Sequence, residues 1–159
     1  MKTAIYPGTF DPLTYGHLDV LGRACNIFDK VIIAIALNTE KKPIFPTEQR
    51  LKLIQDNLTS FPNAEVQSFQ GLTVDFAKNN NAHAIIRGLR AVSDFEYEFQ
   101  LAQMNRHLDN HIETIFLMPS QEYFYTSSQI IKAVSKHNPD RIAKFVPANV
   151  LQTLKQHFA

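Results

Sequence analysis

The stretch TAIYPGTFDPLTYGHLDVLGRACNIF, residues 3–28, joins three patterns that decide the fold. Its first residues, Thr3 to Tyr6, form an apolar run of strand length, and apolar residues recur at helical spacing from Leu18 to Phe28. The loop between these two patterns is rich in glycine, proline and threonine. The stretch therefore predicts a strand that leads through a loop into an amphipathic helix, which opens at His17.

The same alternation continues along the chain. Apolar runs predict five strands, at Thr3 to Tyr6, Val31 to Leu37, Val66 to Phe69, Ala82 to Ile86 and Ile112 to Met118. The later helical patterns include one with Thr47 as its N-cap, one from Asp94 to Leu108, and a last one with Pro147 in its first turn. Strands that alternate with helices predict the α/β class: a doubly wound, Rossmann-like parallel five-stranded sheet with helices on both faces. Ligands of such sheets bind beyond the carboxyl ends of the strands.

The composition is that of one soluble domain, and we predict a single domain over residues 1–159. Hydrophobic residues make up 45% of the chain, which is enough for a continuous core. The net charge of +1 argues against a nucleic-acid partner and against binding to an acidic membrane surface. The single cysteine, Cys25, suits a reducing compartment, and no apolar run approaches the roughly 18 residues of a transmembrane helix. These features predict a cytoplasmic protein.

The loop YPGTFDPLTYGH, residues 6–17, has the composition of a phosphate-binding site. Gly8 and Gly16 would let the backbone approach a ligand, and Thr9 and Thr14 offer hydroxyl donors. The following helix N-terminus adds unpaired N–H groups with partial positive charge. The alternative interpretation is a turn shaped by its two prolines. Neither G-x-x-x-x-G-K-[ST] nor G-x-G-x-x-G occurs in the sequence, so the P-loop and dinucleotide-binding classes lack their required glycines.

The segment GTFDPLTYGH, residues 8–17, resembles the T/HxGH motif region of the nucleotidyltransferase superfamily, in the form typical of the bacterial phosphopantetheine adenylyltransferase family. This resemblance implies that His17 hydrogen-bonds the α-phosphate of ATP. It also implies that Thr9 contacts both substrates and that Phe10 lies beside the nucleotide. The single domain would accordingly be a nucleotidyltransferase domain.

A second segment, IRGLRAVSDFEYE at residues 86–98, places two arginines around a glycine at the carboxyl end of a predicted strand. An arginine in that position needs an anionic partner, which could be a ligand phosphate or a structural salt bridge. The segment also resembles the phosphopantetheine adenylyltransferase pattern. The resemblance implies that Arg87 holds the acceptor phosphate, that Gly88, Leu89 and Arg90 lie along ATP, and that Glu98 reaches the ribose region of the nucleotide.

Two further positions follow predicted strands. Lys41 comes after the second strand, where it could neutralise phosphate or lie in an ordinary solvated loop. Thr73 comes after the third strand, where it could contact a ligand or simply start a helix. The resemblance implies that Lys41 binds the acceptor and that Thr73 lies on its pantetheine arm.

The loop after the fifth strand is rich in hydroxyl side chains, which could bind phosphates or cap the next helix. The resemblance implies that this loop forms a second nucleotide segment, made of Tyr123, Phe124, Tyr125, Thr126, Ser127, Ser128 and Gln129. The chain departs from the usual family pattern at Gln129, which replaces a serine, at Ala133, which replaces an acidic residue, and at Tyr15, where Asn is frequent.

The resemblance spans essentially the whole chain and implies one reaction. The adenylyl group of ATP would be transferred to 4′-phosphopantetheine, giving dephospho-coenzyme A and pyrophosphate in coenzyme A biosynthesis. His17, Lys41 and Arg90 would be catalytic, Mg²⁺ would arrive with ATP, and the chain would assemble as a homohexamer. No protein metal site is expected, since the remaining histidines lack partners at ligand spacing. The alternatives are an adenylyl or cytidylyl transferase for another phosphate, such as nicotinamide mononucleotide or glycerol phosphate, and a non-catalytic ATP-binding module.

Overall fold

A computed structural model describes residues 1–37, 42–90 and 92–159, with residues 92–94 given by their backbone alone. Within these ranges, five strands form one sheet in the order β3-β2-β1-β4-β5, and every neighbouring pair is parallel. The strands are β1 (Thr3–Gly8), β2 (Lys30–Ala36), β3 (Ala64–Phe69), β4 (Ala84–Gly88) and β5 (Glu113–Leu117). The predicted α/β class and the doubly wound, five-stranded parallel sheet are confirmed, and each predicted strand end lies within two residues of the observed one.

Helices cover both faces of this sheet. They are α1 (Tyr15–Cys25), α2 (Thr47–Gln55), α3 (Thr73–Asn79), α4 (Val92–Leu108), α5 (Ser128–Ser135) and α6 (Ala148–His157). Alternate residues of the central strands point to opposite faces, so Ile33 joins the larger core with α1, α2, α5 and α6, whereas Ile32 joins a smaller core with α3. Burial on both faces explains why the central strands are almost unbroken apolar runs. No helix of the described residues is long and apolar enough to cross a membrane.

Helix α4 differs from the others because much of its exposed surface is apolar. Its buried side chains include Glu98 and Asn105, which are two turns apart and so mark the face that packs on the rest of the chain. Large apolar side chains are exposed on either side of that face: Phe95, Tyr97, Phe99, Met104 and Leu108. Exposed apolar surface of this extent is typical of a protein–protein contact.

The starts of α2 and α6 each differ from the prediction by one residue. Pro46 takes the N-cap position of α2, and Thr47 is the first helical residue, because the Thr47 hydroxyl accepts a hydrogen bond from Arg50 instead of capping the helix. Pro147 is likewise the N-cap of α6 and not a residue of its first turn. A proline satisfies this position since it has no backbone N–H to leave unpaired.

Candidate active site

Two of the predicted segments meet where the strand order reverses. The chain runs from β1 to β2 on one side, whereas β4 pairs with β1 on the other. Ligands of open parallel sheets bind outside the carboxyl ends of the strands at such a reversal. The loop after β1, residues 9–14, and residues 89–90 after β4 leave the sheet here. We call these two segments the β1/β4 edge.

His17 is held at the N-terminus of α1 by a capping box. Thr14 is the N-cap, and its hydroxyl accepts a hydrogen bond from the His17 amide at 3.3 Å. In return, the ring nitrogen Nδ1 of His17 accepts a hydrogen bond from the Thr14 amide at 3.0 Å. A backbone N–H can only donate, so Nδ1 carries no proton and the neutral ring carries its proton on Nε2. Because this box includes His17, α1 begins at Tyr15, two residues before the predicted start.

The His17 ring is uncharged at neutral pH. Burial, together with the positive charge of Arg90, lowers the pKa of His17 from 6.5 to about 4. The ring packs edgewise on Phe10, with the two centroids 5.0 Å apart. A neutral ring with its proton on Nε2 can donate a hydrogen bond from that atom but cannot take up a proton there. The site therefore offers a preorganised donor and not a base.

Gly8 is required by internal packing. Phe10 has a positive φ of 48°, and its side chain is only 3% exposed and packs edgewise on Tyr6. A Cβ on Gly8 would lie 2.9 Å from the Phe10 ring, which is closer than real contacts allow. The space that we expected for a ligand is thus filled by Phe10. This ring packs on His17 from the core side.

Arg87 forms a bidentate ion pair with Glu98. Nε and Nη2 of Arg87 donate to the two carboxylate oxygens at 2.7 and 2.6 Å, and Nη1 donates to the Pro7 carbonyl at 3.3 Å. Two parallel bonds fix the plane of the guanidinium group. The salt-bridge interpretation of Arg87 is therefore confirmed, and Glu98 anchors this arginine. Since a guanidinium carries five N–H groups, the pair leaves Arg87 further donors for an anion.

Arg90 connects the two predicted nucleotide segments. Its Nη1 donates to the Thr126 carbonyl at 3.1 Å. The Leu89 amide donates to the Leu117 carbonyl at 3.0 Å, which carries the pairing of β4 with β5 one residue beyond Gly88. Arg90 also acts electrostatically on His17. The structure thus brings the first motif, the arginine segment and the loop after β5 to one place.

The serines at the start of α5 have structural partners. Ser127 is the N-cap of α5, and its hydroxyl accepts a hydrogen bond from the Ile130 amide at 3.2 Å. Ser128 donates to the Pro12 carbonyl at 2.9 Å and so ties α5 to the loop after β1. The capping interpretation is confirmed for Ser127, whose own hydroxyl proton stays free to bind a phosphate oxygen. Of the other predicted nucleotide residues, Tyr125 and Gln129 are exposed, while Tyr123, Phe124 and Thr126 are partly buried.

The predicted acceptor residues are spread along the sheet edge. Thr73 is the first residue of α3 and follows edge strand β3, whereas Arg87 belongs to β4. Three strand spacings of about 4.8 Å separate β3 from β4, so their ends are about 14 Å apart. A single ligand that reached from the end of β3 to the end of β4 would have to be elongated. Lys41, the third predicted acceptor contact, lies outside the described residues.

Comparison with known proteins assigns the family. Residues 5–134 match the family model for cytidylyltransferase-like proteins. Over 158 residues, the chain is 55% identical to the phosphopantetheine adenylyltransferase of Opitutus terrae and 53% identical to that of Geotalea daltonii, covering 99% of this chain and 98% of each relative. This chain belongs to the phosphopantetheine adenylyltransferase family. A solved structure of the nicotinic acid mononucleotide adenylyltransferase of Plasmodium falciparum, complexed with NaAD, matches with a TM-score of 0.72 over 99% of this chain and 96% of that one; at 15% identity this likeness concerns the fold alone.

In this member of the phosphopantetheine adenylyltransferase family, a buried carboxylate that the sequence analysis did not single out organises the loop after β1. Asp11 is 1% exposed, and its two oxygens accept hydrogen bonds from the amides of Ile44 and Phe45 at 2.9 and 3.0 Å. The Lys132 ammonium lies 3.3 Å from the Asp11 carboxylate. Three elements of the phosphopantetheine adenylyltransferase fold thus meet at one side chain. The single acidic residue of the segment 8–17, Asp11, was the available signal.

Arg50 is a second organising residue that the sequence analysis did not single out. It is buried in α2 together with Leu53 and Ile54, three and four positions later, so helical periodicity places it on the apolar face. It donates to the Thr9 carbonyl at 2.8 Å. A charged residue on the apolar face of a helix was the signal that could have found it.

Metal-ligand clusters are absent from the part of the chain that the structure describes: no three His, Cys, Asp or Glu side chains come together there. The five histidines other than His17 are all exposed, as expected: His83, His107, His111, His137 and His157. Near the β1/β4 edge, the carboxylates of Asp11 and Asp19 are already engaged, the latter by Ser120 and Arg23.

Proposed function

We propose that this chain transfers the adenylyl group of ATP to 4′-phosphopantetheine, giving dephospho-coenzyme A and pyrophosphate in the coenzyme A pathway of the cytoplasm. The observation that carries the proposal is the Nε2–H group of His17, fixed at a helix N-terminus under the influence of Arg90. The name of the Opitutus terrae and Geotalea daltonii relatives supports the same activity.

The reaction needs no general base. An oxygen of the acceptor phosphate attacks the α-phosphorus of ATP, and the bond from that phosphorus to the bridging oxygen of pyrophosphate breaks. A phosphate monoester has its second pKa near ~6, so the attacking oxygen is largely unprotonated at neutral pH. A reaction without a general base agrees with the state of His17, because its Nδ1 already accepts a hydrogen bond from the Thr14 amide.

What the reaction needs is stabilisation of charge on the five-coordinate α-phosphate. We assign this to the Nε2–H group of His17, to Arg90 and to Lys41, with the α1 N-terminus adding its partial positive charge. We propose that ATP lies along Thr9, Gly88 and Leu89. The loop from Tyr123 to Gln129 would close over the nucleotide, with Arg90 joining the two segments through Thr126.

Mg²⁺ fits this site as a partner of the ATP phosphates. It keeps several waters and binds through substrate phosphates with few protein ligands. The engaged carboxylates of Asp11 and Asp19 agree with this arrangement. When bound, the ion supplies neutralisation of phosphate charge, and the chain's own residues orient the phosphates.

Acceptor selection follows from the positions of Arg87 and Thr73. We propose that the remaining donors of Arg87, held in orientation by Glu98, bind the phosphate of the acceptor together with Lys41. Thr73 would contact the distal arm. The distance of about 14 Å between the two strand ends favours a long acceptor such as 4′-phosphopantetheine over glycerol phosphate.

Release of pyrophosphate tests the proposal directly. The protein is incubated with Mg²⁺, with either ATP or CTP, and with one acceptor at a time: 4′-phosphopantetheine, pantetheine, nicotinamide mononucleotide or glycerol phosphate. We expect release only with ATP and 4′-phosphopantetheine. Release with another acceptor or with CTP would assign a different transferase, and ATP binding without release would assign a non-catalytic module.

We further propose that the chain assembles as a homohexamer through α4. The exposed apolar side chains of α4, among them Phe95, Phe99 and Met104, are the surface that an assembly would cover. Light scattering should then report a mass near six times 18.1 kDa. Phe99→Glu should reduce this mass while the circular dichroism spectrum stays that of a folded protein. A wild-type monomer at micromolar concentration would contradict the assembly without affecting the catalytic proposal.

A further inference from the structure

Arg50 is a charged residue that is only 3% exposed, and its guanidinium donates hydrogen bonds to three groups of the chain near the proposed site. Its Nη1 donates to the Thr9 carbonyl at 2.8 Å, its Nε to the Phe45 carbonyl at 3.0 Å, and its Nη2 to the Thr47 hydroxyl at 3.0 Å. Hydrogen bonds from a charged donor are stronger than those between neutral groups. Arg50 therefore connects α2 to the loop after β1 and to the segment that precedes α2.

The same two segments are joined a second time by Asp11. The Phe45 amide donates to Asp11, while the Phe45 carbonyl accepts from Arg50, so this peptide segment is held from both sides. The carboxylate of Asp11 also favours the charged form of Arg50, against the burial that lowers the pKa of this arginine. We call these three residues the Asp11–Phe45–Arg50 bridge.

In sequence, this bridge is close to two predicted substrate contacts. Thr9 belongs to the loop after β1, and Phe45 follows Lys41 by four residues. We propose that Arg50 is a positioning residue, which through the Asp11–Phe45–Arg50 bridge fixes Thr9 relative to the segment that follows Lys41. The inference rests on the proposed function, which assigns Thr9 and Lys41 to substrates.

Core packing alone does not account for Arg50. An apolar side chain of similar volume would fill the same space without the desolvation cost of a buried charge. A guanidinium, by contrast, joins the Thr9 carbonyl in the loop after β1 to two acceptors at the start of α2, the Phe45 carbonyl and the Thr47 hydroxyl, in one rigid geometry. Such support matters for a reaction because a displacement of about 1 Å in a substrate contact can cost about 10²-fold in rate.

The experiment compares Arg50→Met and Arg50→Lys with Asn63→Ala. Asn63 is a matched control because its amide also ties two carbonyls, those of Cys25 and Phe28, at 2.9 and 3.0 Å. It does so beside the first residue of β3, at the opposite end of the sheet from the proposed site. Both sites thus lose buried or partly buried hydrogen bonds, and only the Arg50 site is close to the proposed active site.

Turnover is measured at saturating ATP and 4′-phosphopantetheine, below the Tm of every variant. We expect Arg50→Met to lower kcat about 10- to 100-fold. Arg50→Lys keeps the charge and can reach one carbonyl, so its kcat should lie between those of Arg50→Met and the wild type. Asn63→Ala should lose thermal stability while keeping the wild-type kcat. Hydrogen exchange at the amides of Ile44 and Phe45 should be faster in Arg50→Met and unchanged in Asn63→Ala.

A wild-type kcat in Arg50→Met, or an equal loss in Asn63→Ala at equal Tm, overturns the positioning role. Unchanged exchange at Ile44 and Phe45 overturns it as well. If the wild type fails to use 4′-phosphopantetheine, the proposed function is refuted by that result alone. Hydrogen exchange requires no turnover, so it still decides whether Arg50 holds the bridge. Should Arg50→Met not fold, Arg50→Lys carries the same comparison.

Discussion

Substitutions at His17 separate the two nitrogen atoms of its ring. In the structure Nδ1 accepts from the Thr14 amide at 3.0 Å, and Nε2–H is the ring donor left for a phosphate. His17→Ala removes one preorganised donor, so kcat should fall by about 10² to 10³, which corresponds to roughly 2.7 to 4 kcal/mol of transition-state stabilisation. It also leaves the Thr14 amide without its acceptor, at a cost of about 1 to 3 kcal/mol in stability.

An amide side chain at position 17, from Asn or from Gln, should replace one of the two ring nitrogens. In Asn, the side-chain oxygen is as far from the backbone as Nδ1, so His17→Asn should recover the Thr14 bond and most of the stability but little of the rate. In Gln, the amide nitrogen is as far out as Nε2, so His17→Gln should recover part of the rate, at least tenfold over Ala by the range given for one donor. ATP affinity should change little in all three variants, because the donor acts mainly on the transition state.

The assay is pyrophosphate release across pH 5 to 9, with Tm measured for each variant under the same conditions. The acceptor phosphate, with its second pKa near ~6, should produce one inflection that is identical in wild type and His17→Gln. An additional inflection in the wild type that disappears in His17→Gln would refute the donor assignment and establish His17 as a general base. Equal rates for His17→Gln and His17→Ala would refute the placement of the donor at Nε2.

Three more predictions follow from the site. Arg87→Ala should raise the KM for 4′-phosphopantetheine more than the KM for ATP, and should lower kcat/KM for this acceptor by the equivalent of about 1.5 to 3 kcal/mol. Equal turnover of pantetheine and of its phosphate ester by the wild type would contradict the role of Arg87. Gly8→Ala should destabilise the protein by about 1 to 3 kcal/mol and lower kcat, because the new Cβ would displace the Phe10 ring on which His17 packs; a denaturation midpoint equal to that of the wild type would show that Phe10 moves freely. The pKa of His17 is lowered in the folded protein, so below pH 6.5 the unfolded chain binds a proton that the folded protein excludes. The free energy of unfolding should therefore fall between pH 6.5 and 4, by at most about 3 kcal/mol. Chemical denaturation at several pH values should show this loss in the wild type and not in His17→Gln.

Periodicity predicted the fold because the sheet is covered on both faces. A strand such as β2, whose residues Val31 to Ile35 are all buried, must be a continuous apolar run, and its length then distinguishes it from a helix. Helix α4 was harder to assign, since its buried face carries Glu98 and Asn105 while its apolar residues are exposed. Its length decided the assignment. The start of α2 was misplaced because the Thr47 hydroxyl accepts a hydrogen bond from Arg50 and does not cap the helix.

Motifs identified the chemistry of the site but not how its residues are held. The sequence placed His17 at a helix N-terminus after a strand, and the structure agrees within two residues. It could not show that Glu98 would pair with Arg87, because either a ligand or a side chain can satisfy an arginine. Asp11 and Lys132 are 121 residues apart, and no local pattern reports a contact at that separation. The inward direction of the Phe10 ring depends on its positive φ, which the residue type gave no reason to expect.

The central position of β1 affects the order in which the site can form during synthesis. β1 pairs with β4 about 80 residues later in the chain, and Ser128 and Lys132, which follow later still, contact Pro12 and Asp11. Contacts at such separations form slowly, because the intervening chain must be closed first. A nascent chain that ends before α5 carries all of residues 8–17 and still lacks the contacts of Ser128 and Lys132 that hold this loop.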